Sequence, residues 1–106
     1  MGMDLIPIKP TPDARRYPPG EACAGHIMCL HYNWLNWEWL FDHLDKWGVD
    51  TSTFSFYNEG EVIPADVCRA VASAIQSNLS ELDEGARQWI RPQIGLWQTC
   101  GGYAQW

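Results

Sequence analysis

The sequence predicts a mainly α fold, a compact three-helix domain with a proline-rich N-terminal arm and a minor β-hairpin as an option. Apolar residues recur at helical spacing in three stretches, prolines concentrate near the N-terminus, and seven tryptophans occur in 106 residues. The length suits one domain. We therefore divide the chain into a proline-rich arm at residues 1–20 and a single helical domain at residues 21–106.

The N-terminal arm is predicted from its prolines. Five of the seven prolines stand there, at Pro7, Pro10, Pro12, Pro18 and Pro19. Proline fixes φ and lacks an amide donor, so an extended arm or loop is expected. Leu5, Ile6 and Ile8 favour an arm that packs on the domain. Residues 21–32 fit either a short strand or the lead-in to the first helix.

The first helix is predicted between Asn33 and Gly48. Its apolar stripe recurs every three or four residues and consists of Trp34, Trp37, Phe41, Leu44 and Trp47. Asn33 or Asn36 can accept from the free amides of the first turn, and Gly48 suits the left-handed residue that ends many helices. The tryptophans of this stripe are predicted to lie in the core, whereas Trp39 lies outside the stripe.

Two further helices follow from the same reasoning. Pro64 suits the first turn of the second helix, which is expected to end near Leu79. Ser80 and Asp83 resemble a capping pair that opens the third helix. Pro92 interrupts this helix with a kink or a helix-helix corner. Residues 101–102, both glycine, end it and leave residues 103–106 as an aromatic tail.

The stretch between the first two helices has two interpretations. The β-prone runs at residues 54–57 and 61–63 flank the turn at residues 58–60 and fit a hairpin. A one-turn helix capped by Asp50 or Thr51 fits the same stretch. The sequence does not separate the two.

Composition limits the function classes. The net charge is -6 and the basic residues are scattered, so direct binding to nucleic acid is not predicted. No stretch approaches the roughly 20 apolar residues that span a bilayer, and no signal peptide is recognisable. We therefore predict no membrane association and a cytoplasmic location. That compartment favours free thiols for the four cysteines.

The candidate metal ligands are Cys23, His26, Cys29 and His31, which lie within nine residues. Their spacing departs from that of zinc knuckles, so thiols and imidazoles without a metal are favoured, and no metal or cofactor is predicted. Cys100 lies at a predicted helix C-terminus, where the dipole disfavours a thiolate. No catalytic residue is assigned, and nothing in the sequence indicates an enzyme.

The candidate binding residues are aromatic and charged side chains that the predicted core does not require. They are Trp39, Glu59, Glu61, Arg87, Trp89, Arg91, Tyr103 and Trp106. Planar rings stack on a ligand or fill a partner's pocket. Arg87 and Arg91 bracket Trp89 and suit phosphate or carboxylate contacts. The two glutamates flank a glycine turn that suits a cation or a basic loop.

Several segments together carry a family resemblance. They are Asp4–Pro7 with Lys9 and Pro10, His31–Trp34, Lys46–Thr51, Asn58–Glu61 and Trp97–Tyr103. In these segments the chain resembles a group of short bacterial and bacteriophage proteins with no established activity. The resemblance covers most of the chain and implies a bacterial or phage setting and a cytoplasmic location. It assigns no functional residue.

Two functions are predicted from these observations. The first is a small intracellular binding protein that occupies a protein partner, such as a phage or mobile-element inhibitor of a host defence system. The alternative is a protein that binds or sequesters a small, nucleotide-like molecule by aromatic stacking. The sequence does not indicate an oligomeric state.

Overall fold

The structure is a computed structural model that describes residues 2–9 and 29–106. Within these two ranges, four strands form one antiparallel sheet in the order β2-β1-β4-β3. They are β1 (Gly2–Pro7), β2 (Leu30–Asn33), β3 (Glu61–Ile63) and β4 (Tyr103–Gln105). The described residues also form the helices α1 (Trp34–Lys46), α2 (Ala65–Asn78), α3 (Glu84–Ile90) and α4 (Ile94–Thr99). Short 3₁₀ turns occupy Leu79–Glu81 and Arg91–Gln93.

The prediction of a mainly α fold is wrong, because the sheet makes this a mixed α and β fold. Strand β1 lies between β2 and β4, so part of the predicted arm is a central strand. Met3 and Leu5 pack into the main core, whereas Ile6 packs with Ala104 on the other face of the sheet. Because both faces of β1 are buried, its sequence lacks the alternation of apolar and polar residues by which a strand is recognised. The rest of the predicted arm, residues 10–20, lies outside the described residues.

The stretch between α1 and α2 is neither the hairpin nor the helix that the sequence allowed. Residues 61–63 do form a strand, but their partner is β4, with Val62 opposite Ala104. The predicted aromatic tail is therefore a strand between β1 and β3. Asp50 caps no helix, and its carboxylate accepts from the Ser52 amide at 3.0 Å.

The predicted helix boundaries are largely confirmed. Asn33 caps α1, where its side chain accepts from an amide of the first turn at 2.7 Å. Gly48 follows α1 with a left-handed φ of 80°. Asp83, rather than Ser80, provides the capping side chain of α3. Pro92 lies in the 3₁₀ turn between α3 and α4, which is the predicted corner.

A series of aromatic rings runs through the core, beside many aliphatic side chains. Successive ring contacts connect Trp47, His43, Trp39, Trp89, Tyr32, Trp37, Phe54, Trp97 and Tyr103 in that order. Of the three tryptophans assigned to the core, Trp37 is fully buried, and Trp34 and Trp47 are partly buried. The aromatic series therefore runs from the protein surface into its centre.

A buried glutamine holds the long loop after α1 to the sheet. Gln105 is fully buried in β4. Its Oε1 accepts from the Ser55 amide at 2.7 Å, and its Nε2 donates to the carbonyl oxygens of Thr53 and Glu61 at 2.8 and 3.1 Å. Trp37 adds a bond from its indole Nε1 to the Ser55 carbonyl at 2.8 Å. One polar side chain thus satisfies backbone groups that would otherwise be buried without partners.

Candidate binding surface

Two of the predicted binding residues lie together in the structure. Trp39 on α1 and Trp89 on α3 are in edge-to-face contact, with ring centroids 5.7 Å apart and planes at 78°. Trp89 is 36% exposed and Trp39 is partly buried. The two rings therefore join a surface to the aromatic core behind it.

A groove lies on the outer side of α1, next to Trp39. Its volume is about 450 Å³, and it is lined by Leu35, Asn36, Glu38, Trp39 and Asp42, which we term the α1 groove. Leu35 is 77% exposed, although it is one turn from Trp39 on the same face of the helix. The buried side of α1 is formed by Trp37, Leu40 and Leu44. Leu35 was not among the predicted binding residues, although it is an apolar residue outside the apolar stripe of α1.

The rings beside the groove are held by neighbours that fix their position. The rings of His43 and Trp39 are in contact, with centroids 4.0 Å apart and planes at 31°. The Nδ1 of His43 lies 2.8 Å from the Trp39 carbonyl oxygen, to which it donates in the tautomer that carries the proton on Nδ1. Behind Trp89, the hydroxyl of Tyr32 donates to Gln93, whose amide donates to the Trp89 carbonyl at 3.1 Å. Burial raises the pKa of Tyr32, so this hydroxyl stays a donor. A surface held in this way loses little freedom when a partner binds.

The polar lining of the α1 groove is acidic. Glu38 and Asp42 are both exposed and lie one turn apart. Among the described residues that line the groove, none is a lysine, an arginine or a histidine. The surface thus combines an apolar part, Leu35 with Trp39, and a negatively charged part.

Arg87 and Arg91 lie in a different groove from Trp89. Glu84, Arg87, Gln88 and Arg91 line a groove of about 320 Å³ on α3 and the turn that follows it. Trp89 is not among the lining residues, because it points to another side of the same helix, toward Trp39. The structure therefore does not bring the two arginines and the ring into one site.

The remaining predicted residues lie elsewhere. Glu59 and Glu61 are exposed beside Gly60, which adopts φ 81° and whose amide donates to the Gln105 carbonyl at 2.7 Å. Tyr103 is fully buried in the core and presents no surface to a partner. Trp106 is partly buried and packs against Ile6 and Ala104 on the second face of the sheet.

A second apolar surface was not predicted as a binding site. Phe56 and Tyr57 are 42% and 71% exposed in the loop after α1. Phe56 stacks against Trp34 and meets Phe41 edge to face, with centroids 6.4 and 5.4 Å apart. The sequence allowed a strand or a one-turn helix for residues 54–57, and neither interpretation predicted two neighbouring exposed rings in a loop.

Two of the four candidate metal ligands, Cys23 and His26, lie outside the described residues. Cys29 is disulfide-bonded, contrary to the predicted free thiol. His31 places its Nδ1 2.7 Å from the Asp4 carboxylate. Within residues 2–9 and 29–106, no three histidine, cysteine or acidic side chains are grouped so as to hold a metal ion.

Two buried free thiols, Cys68 and Cys100, contact each other in the core. The pKa of Cys68 is raised mainly by its hydrogen bond with Cys100 and, to a smaller extent, by burial. The same hydrogen bond lowers the pKa of Cys100, but this thiol has no exposed surface. Neither cysteine is placed to attack a substrate from solvent.

Among the helices in residues 29–106, none combines the length and the apolar character that a bilayer crossing requires. No protein-family model, no curated protein and no solved structure matches the chain.

Proposed function

We propose that the protein is a small binding protein that acts by occupying a protein partner, with the α1 groove and Trp89 as its contact surface. The observation that carries this proposal is Leu35, which is 77% exposed beside Trp39. Covering a leucine side chain contributes about 1.5–3 kcal/mol. Aromatic rings held by their neighbours are typical anchors at the centre of an interface.

The shape of the surface favours a protein over a small molecule. In the part of the chain that the structure describes, the α1 groove is lined by one helix and is open, whereas small-molecule sites are concave and enclose most of their ligand. Trp39 and Trp89 meet edge to face, which leaves no slot between them for a stacked base. The groove that contains Arg87 and Arg91 is also lined by Glu84, whose negative charge would repel the phosphate of a nucleotide. The nucleotide-like alternative therefore has less support.

The proposed setting is a bacterial or phage-infected cell, where the protein inhibits a host defence system. Its small size, its net charge of -6 and the family resemblance support this setting. The disulfide at Cys29 weighs against the predicted cytoplasmic location, because cytosolic thiols are kept reduced. We therefore propose the partner without assigning the compartment.

Capture from a bacterial lysate tests the proposed surface. We expect the immobilised protein to retain a stoichiometric partner, and Leu35→Asp to reduce the recovery by about tenfold, the equivalent of about 1.4 kcal/mol. The reduction is expected because aspartate places a charge in the apolar part of the contact. The recovered partner is quantified by mass spectrometry.

Gln76→Asp provides the matched control, because Gln76 is exposed on α2 and the change introduces the same charge. Both variants are expected to change the free energy of unfolding by less than about 0.5 kcal/mol. Equal recovery by the two variants, or no retained protein, would refute the proposed surface. A bound small molecule seen in native mass spectrometry would favour the alternative function.

A further inference from the structure

We infer that the α1 groove binds a basic, amphipathic segment of the partner protein. An apolar side chain of this segment would contact Leu35 and Trp39, and lysine or arginine side chains would lie beside Glu38 and Asp42. This inference rests on the proposed function and adds the chemical class of the partner.

The lining of the groove has the spacing of a helix-binding surface. Leu35 and Trp39 form one row along α1, and Glu38 and Asp42 form the adjacent row, each with a four-residue step. An amphipathic helix repeats its side chains at the same step, so its apolar and charged rows can match both rows. The groove therefore fits a segment with one apolar and one basic row.

The charges select a basic partner over an acidic one. Two carboxylates one turn apart repel each other, and the repulsion destabilises the helix that carries them. Among residues 2–9 and 29–106, neither Glu38 nor Asp42 forms an ion pair with a lysine or arginine. A cation from a partner would relieve the repulsion, and the net charge of -6 would speed the approach of a basic segment.

A second copy of this chain is a poorer occupant of the groove. In a two-fold symmetric contact the same surface faces itself. Glu38 and Asp42 would then oppose the identical carboxylates of the second copy. Like charges placed opposite each other disfavour such an interface.

Titration with two synthetic peptides tests the inference. The peptides have equal length and the same apolar positions, and carry lysine in one case and glutamate in the other at the polar positions. We expect the lysine peptide to shift the NMR resonances of the Leu35 amide and the Trp39 indole N–H, with an affinity that falls as salt is added. The glutamate peptide is expected not to bind.

Two double variants locate the charge that the lysine peptide recognises. Glu38→Gln with Asp42→Asn is expected to weaken its binding by about tenfold, because two exposed ion pairs are lost. Glu59→Gln with Glu61→Gln removes the same charge from the exposed turn and is expected to leave the affinity unchanged. The inference is overturned if neither peptide binds, if both bind equally, or if the turn variant is the one that loses affinity.

The same variants separate this inference from the proposed function. Suppose that Leu35→Asp abolishes capture of the cellular partner, whereas the double variant of Glu38 and Asp42 does not. The inference of a basic segment is then refuted, and the proposed binding surface is retained. If Leu35→Asp has no effect on capture, the proposed surface itself fails. A dimer of the protein alone that Leu35→Asp dissociates in analytical ultracentrifugation would assign the groove to a second copy and overturn the inference.

Discussion

Trp97→Ala is expected to lower the free energy of unfolding by about 3–5 kcal/mol, a large part of the 5–15 kcal/mol typical of a folded domain. The ring is fully buried, meets Tyr103 with centroids 5.0 Å apart and stacks on Phe54 at 6.2 Å. Its indole Nε1 donates to the Tyr32 hydroxyl at 3.2 Å. Alanine leaves a cavity near the buried end of the aromatic series, and urea unfolding followed by circular dichroism measures the loss of stability.

Tyr57→Ala is the control for this substitution, because Tyr57 is also aromatic but 71% exposed. We expect it to change the free energy of unfolding by less than about 0.5 kcal/mol. A loss below about 1 kcal/mol for Trp97→Ala would show that this ring does not hold the helices to the sheet.

Gln105→Leu is expected to lower the free energy of unfolding by about 2–4 kcal/mol. Leucine has a similar volume but leaves the Ser55 amide and the Thr53 carbonyl without the partners that Gln105 provides. A buried polar group without a partner costs about 1–3 kcal/mol. The Ser55 amide should also exchange its hydrogen faster, and hydrogen exchange detected by NMR measures this directly.

Gln98→Leu makes the same chemical change at an exposed position of α4 and should have little effect on stability. If Gln105→Leu leaves the exchange of the Ser55 amide unchanged, the loop after α1 does not depend on this glutamine. Loss of stability without faster exchange would show that the effect arises elsewhere in β4.

The helices were predictable because their signals are local. The apolar stripe of α1, the capping residue Asn33 and the left-handed Gly48 all lie within one short stretch of sequence. Pro92 likewise predicted the corner between α3 and α4, because the missing amide acts on its own turn. These features can be recognised in the sequence without knowing which distant residues the helix contacts.

The sheet was not predictable for the opposite reason. Strand β1 pairs Leu5 with Gln105 and Met3 with Tyr32, which lie far from it in sequence. Burial on both faces hides its alternation, and Pro7 at its end suggests a loop. Strands β3 and β4 have three residues each, too few to show a period of two.

The candidate site was predictable in part. Trp39 lies outside the apolar stripe of α1, which made it a candidate binding residue, and the structure places it in the lining of the α1 groove. Its contact with Trp89 depends on how α3 packs against α1, which no local pattern encodes. Tyr103 was predicted as a binding residue in an aromatic tail, but pairing with Pro7 and Ile63 places it in the core.

A photo-crosslinking amino acid at position 35 gives the clearest test of the α1 groove as a partner-binding surface. Illumination in cells, followed by mass spectrometry, identifies what lies against this position. We expect one cellular protein to be joined to position 35 and not to position 76 on α2, where the same amino acid is equally free to react. No adduct at position 35, or the same adducts from both positions, would contradict the proposed surface.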